Sequence, residues 1–104
     1  SVEYEDAVEL FRKVIDSAEY HSEAEIALYY HALATLFGRL DLSGKMKETL
    51  LEGTEKLAEK LERISTYSIR NSIMKRRDIA EFIELCRSND IPFPPDGITF
   101  NTDR

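Results

Sequence analysis

Residues able to do chemistry are sparse in this chain, and their spacing limits what they could do. There are two histidines, His21 and His31, and one cysteine, Cys86. His21 lies among Glu19, Glu23 and Glu25, and an imidazole beside carboxylates is a donor set that a divalent cation could use. Ligands on one helical face must sit three or four residues apart, and neither H-x-x-x-H nor E-x-x-H occurs. His21 is therefore read as a solvated histidine near acids, and His31, among small residues, as a buried or interface histidine making one hydrogen bond. Cys86 follows Phe82 and Ile83 at four and three residues, on an apolar side, and reads as a packing residue rather than a nucleophile. Carboxylates working as an acid–base pair must converge in a pocket, whereas most acids here recur on helix faces beside Lys or Arg. The ExxE…ExxD pattern of a magnesium-dependent helical hydrolase is missing. So are G-x-S-x-G, the phosphate-binding Walker loop, the dinucleotide fingerprint and zinc spacings. No catalytic residue, metal ligand or cofactor is assigned from the sequence.

The most specific oddity is RISTYSIRNSIMKRR, residues 63 to 77, which holds Arg63, Arg70, Lys75, Arg76 and Arg77 and no acid. The whole chain carries a net charge of −6. If the segment were one helix, Arg63, Arg70 and Arg77 would recur every seven residues on one face, with Tyr67 between the first two. A basic stripe with an interleaved aromatic can hold phosphates and stack a base, or dock an acidic partner helix. The blander reading is internal charge balance, because residues 1–25 hold eight acids and only two bases. A helix break at 65–67 would remove the stripe.

These residues are positioned by helices. Over residues 2–20, Tyr4, Ala7, Val8, Phe11, Val14, Ile15 and Ala18 recur at steps of three and four. Residues 22–40 form a second helix, opened by the capping box SEAE in which Ser22 and Glu25 satisfy each other's backbone N–H. Its bulky face carries Ile26, Tyr29, Leu33, Leu36, Phe37 and Leu40. Its back holds Ala24, Ala27, His31, Ala34, Thr35 and Gly38, where a solvated helix would carry Lys and Glu. That back face is read as meeting another helix, the tail or a second chain. A short turn, DLSG, leads to a third helix over 45–64, in which Gly53 costs about 1 kcal/mol relative to alanine. A fourth helix over 67–88 has a stripe that shifts near Arg76, and is read as one kinked helix rather than two shorter ones. The end, NDIPFPPDGITFNTDR, holds all three prolines and alternates apolar residues like extended chain, with a turn at PPDG.

Length and composition agree with one small globular unit. A chain of 104 residues with 42% apolar residues can bury a core without metals or disulfides. One cysteine excludes an intramolecular disulfide. No apolar run approaches the ~20 residues of a membrane span, and no signal peptide is visible, so a cytoplasmic location is expected. The acidic balance argues against a general nucleic-acid coat protein.

EDAVELFRKVI, EAEIALYYHALATLF and KMKETLLEGTEKLAEKLERI, within residues 5–64, resemble helical-hairpin interaction modules. The nearest are MIT domains (three-helix modules of membrane-trafficking ATPases) and tetratricopeptide helices. The likeness lies in Ala7, Ala24 and Ala32, in Tyr29 and in the Lys-Glu start of the third helix. The chain departs from them in its linker lengths, its first turn, its fourth helix and its tail. The resemblance implies protein binding.

The expectation is an all-α, antiparallel four-helix bundle over 1–88 with an extended C-terminal tail, 89–104, packed on it. The expected function is non-enzymatic protein binding, including self-association as a dimer, through Ala27, His31, Ala34, Thr35 and Gly38. A second candidate surface is Arg63, Tyr67, Arg70 and Arg77. The alternatives are nucleic-acid binding or regulation through residues 63–77, and a small metal-dependent helical hydrolase.

Overall fold

The structure, a computed structural model, describes residues 2–17 and 21–100. The described residues are all-helical, with five helices and no strand: α1 (Val2–Ile15), α2 (Glu23–Arg39), α3 (Ser43–Glu62), α4 (Tyr67–Met74) and α5 (Arg77–Ser88). The expected four-helix count is corrected to five, because the anticipated kinked fourth helix is two helices. No proline causes the break. The Lys75 N–H closes α4 on the carbonyls of Asn71 and Ser72, and Arg76 then turns extended, at φ −62° and ψ 142°. Asp78 Oδ1 accepts the Ile79 N–H at 2.9 Å in the first turn of α5. The break resets the helical phase, so that Ile79, Phe82, Ile83 and Cys86 all face inward.

The Ser22–Glu25 capping box forms as the sequence implies: Ser22 Oγ accepts the Glu25 N–H at 3.2 Å, and Glu25 Oε1 accepts the Ser22 N–H at 3.0 Å. Helices α2 and α5 end alike, with an aspartate in the position usually given to glycine. Asp41 and Asp90 take φ of 58° and 61°, and the next N–H reaches back five residues, Leu42 to Phe37 O and Ile91 to Cys86 O.

Helix α2 is the hub. It packs against α3, α5 and α1, and the core joins Ile26, Tyr30 and Leu33 of α2 to Leu50, Leu57 and Leu61 of α3 and Phe82 and Cys86 of α5. At Gly53 of α3 these three helices meet so closely that a Cβ there would lie 2.8 Å from both Phe82 Cζ and Tyr30 Cγ. The described part of the tail adds Ile91 and Phe93 to the same core, with Phe100 tilted against Phe93 at 5.9 Å. Gly97, at φ 88°, completes the PPDG turn, in which the Ile98 N–H reaches Pro95 O. Residues 101–104 lie outside the described residues. No described helix is long and apolar enough to cross a membrane.

Candidate protein-interaction surface

Ala27 and Ala34 are not at the surface: both are 0% exposed, in the same buried face as Ile26, Tyr30, Leu33 and Phe37. The correction is one of helical phase. The sequence centres the bulky face between Tyr29 and Leu36, whereas α2 buries Tyr30 and leaves Tyr29 and Leu36 half-buried. The two alanines are small because α2 is packed on by several helices, and small side chains let helices approach closely. His31 and Thr35 remain half-buried and Gly38 is exposed. The Thr35 hydroxyl donates to His31 O at 2.8 Å and lies 3.5 Å from His31 Nδ1.

At 100° per residue, the side of α2 opposite its buried face carries Ala24, Leu28, His31, Ala32, Thr35 and Arg39. Leu28 is 57% exposed there, and Glu25 and Arg39, at its two ends, are the full charges on that side. Beside it runs an open groove of about 450 Å³ between α1 and α2. Tyr4, Ala7 and Phe11 line one wall and Ala32, Thr35 and Leu36 the other, with Glu3 and Arg39 also lining it. No described residue of the tail lines this groove. Leu10, one turn beyond Ala7 on α1, is 65% exposed. Leu10 and Leu28 escaped the sequence reading, Leu36 was assigned to the buried face and Ala32 only to the family resemblance, and centring the helical phase on Tyr30 would have placed the three on α2 at the surface.

The groove exists because α1 is held against the hub at few points. Ile15 is the only residue of α1 whose described side chain is buried. Arg12 Nη2 donates to both carboxylate oxygens of Glu52 at 3.0 Å, and the Tyr30 hydroxyl donates to Glu52 Oε2 at 2.7 Å. Burial alone would raise the Glu52 carboxyl. The hydrogen bonds from Arg12 and Tyr30, with the Arg12 charge, outweigh it and hold the group below its ordinary value. Burial, then the Glu52 carboxylate, pushes the Tyr30 hydroxyl up, and the hydrogen bond to Glu52 raises Arg12. A depressed carboxyl contributes stability that is whole above its unfolded value, about 4.3, and lost as pH falls through its folded value. Tyr30→Phe is expected to cost about 1 kcal/mol at pH 7, a charged hydrogen bond discounted for the exposure of Glu52. The difference from wild type should narrow in thermal melts between pH 7 and acid pH, as Glu52 takes up its proton below the ordinary carboxylate range. The same difference at both pH values would contradict the bond to an ionised Glu52.

His21 closes the α1–α2 corner. Its Nε2 donates to Val14 O at 2.9 Å, its Nδ1 lies 3.5 Å from Glu25 Oε2, and its ring meets Tyr29 edge-on at 5.2 Å. The side chain is 15% exposed, so the solvated reading is replaced by a half-buried corner. Among the described residues no group of three or more His, Cys, Asp or Glu is placed to hold a metal ion. Cys86 is 0% exposed, and burial pushes its thiol up to about 12, which suits packing rather than nucleophilic attack.

The basic stripe is dispersed. Arg63 caps the C-terminus of α3, residues 64–66 are non-helical, Tyr67 begins α4 and Arg77 begins α5. Arg77 points to solvent and pairs with Glu81 at 3.1 Å. Arg70 is only 2% exposed: its Nη1 donates to Ile64 O at 2.7 Å, and its guanidinium lies 5.0 Å from the centre of the Phe100 ring. Seven-residue spacing therefore does not bring Arg63, Arg70 and Arg77 to one face.

No family model, no curated protein and no solved structure matches this chain.

Proposed function

We propose that this chain is a non-enzymatic protein-binding module, working through the outward side of α2 and the adjoining wall of α1. The observation that carries the reading is the pair of exposed leucines, Leu28 and Leu10, flanking an open apolar groove. Single exposed leucines need no explanation, but here one on each helix stands next to an apolar groove, and the outward side of α2 carries full charge only at Glu25 and Arg39. The groove suits an amphipathic helix laid alongside α1 and α2. The nucleic-acid alternative loses the regular spacing that recommended it, since Arg70 is buried and Arg77 is paired.

The test places a photo-crosslinking residue at Leu28, with Glu84 on the exposed side of α5 as control, in an extract of the source cells. A discrete protein adduct from position 28, absent from position 84 and suppressed by Ala32→Glu, is expected. Equal and unspecific labelling from both positions would overturn the reading.

A further inference from the structure

We infer that the partner is a second copy of this chain, docked α2 against α2 and antiparallel, about a two-fold axis at Ala32. The inference rests on the proposed binding surface and names its occupant.

Two-fold pairing of antiparallel helices maps a residue n positions before the axis onto the one n positions after it. Glu25 and Arg39 both lie seven residues from Ala32, and Leu28 and Leu36 both lie four. An axis at Ala32 therefore sets Glu25 against the partner's Arg39, and Leu28 against the partner's Leu36. It does so twice, once on each side. At the axis stands the smallest side chain of the seam, which allows close approach of the helices. A parallel arrangement would set Arg39 on Arg39 and Glu25 on Glu25, so the charges select the antiparallel one. Both are available to pair. Arg39 is exposed and has no ion pair among the described residues. The Glu25 side chain is 46% exposed, and a carboxylate that accepts the Ser22 N–H and faces His21 has lone pairs left for a guanidinium. Leu10 and Ala7 flank the seam and extend the contact onto α1.

The experiment is sedimentation equilibrium on the purified chain, with circular dichroism confirming that each variant is folded. A reversible dimer is expected. Leu28→Glu, at a position already exposed, should weaken it more than tenfold. Arg39→Glu, which makes both end pairs repulsive, should weaken it about tenfold. On mild oxidation the Ala32→Cys variant should form a disulfide-linked dimer and Glu84→Cys should not, the native Cys86 being buried. A dimer unchanged by Leu28→Glu would overturn the proposal, and one unchanged by Arg39→Glu would overturn the antiparallel register. A wild-type monomer at millimolar concentration would overturn self-pairing. If position 28 still captured a different protein, the binding surface would stand without it; if it captured nothing specific, both would fall.

Discussion

Replacing Gly53 by alanine is expected to lower the stability of this chain by about 2 kcal/mol, and replacing it by valine by more than about 3 kcal/mol. Helix propensity alone gives the opposite sign, since alanine in a helix interior is worth about 1 kcal/mol more than glycine. Packing decides. A Cβ at this position would lie 2.8 Å from Phe82 Cζ and 2.8 and 2.9 Å from Cγ and Cβ of Tyr30. Tyr30 and Phe82 are themselves fully enclosed, so neither ring can yield without moving its own neighbours. Thermal or denaturant unfolding reads the effect as a fall in Tm of roughly 10 °C for alanine. Shortening the opposing ring with Phe82→Leu should absorb part of the cost, so the double variant should be less destabilised than the sum of the singles. A rise in Tm for Gly53→Ala would contradict the close approach of α2, α3 and α5.

Arg70→Ala is the second large loss, about 2 to 3 kcal/mol. The guanidinium donates to the carbonyl of Ile64, just beyond the end of α3, and stacks over Phe100 of the tail, so one side chain ties three segments together. Its removal leaves that carbonyl without its charged donor and forfeits a desolvated cation–π contact. Part of the loss is offset, because Arg70 Nη2 is buried without a hydrogen-bond partner among the described residues, and removing it relieves that desolvation. Arg70→Lys should recover little, since a single ammonium cannot both stack flat and reach the carbonyl. Amide hydrogen exchange should show the loss concentrated in residues 64–74 and 91–100. A variant as stable as wild type would mean that Arg70 is only filling space.

The contrast between these two residues shows what the sequence could and could not convey. Local signals were legible. The capping box at Ser22 and Glu25, the PPDG turn and the packing role of Cys86 all follow from residue type at short range, and each appears in the structure. Helical phase was only half legible. α2 is apolar around most of its circumference, so its periodicity left the buried direction off by about a fifth of a turn, enough to bury Ala27 and Ala34 and turn Leu28 outward. The break at Lys75 and Arg76 carries neither proline nor glycine, and the shift in the apolar stripe hinted at it without fixing it. Gly53 and Arg70 depend on contacts between segments far apart in the chain. Propensity reads the first as a weak spot and composition reads the second as a surface charge, while tertiary packing reverses both. The sparse charge on the outward side of α2 was visible from the start, and that observation keeps its force after the residues carrying it have been exchanged.

The most direct measurement compares amide chemical shifts of the wild-type chain at dilute and millimolar concentration. Changes are expected at Ala7, Leu10, Leu28, Ala32, Thr35, Leu36 and Arg39, with α4, α5 and residues 63–77 unmoved. Changes clustered in residues 63–77 instead, or none anywhere at the highest concentration, would contradict α2 as the surface through which this chain meets its own copy.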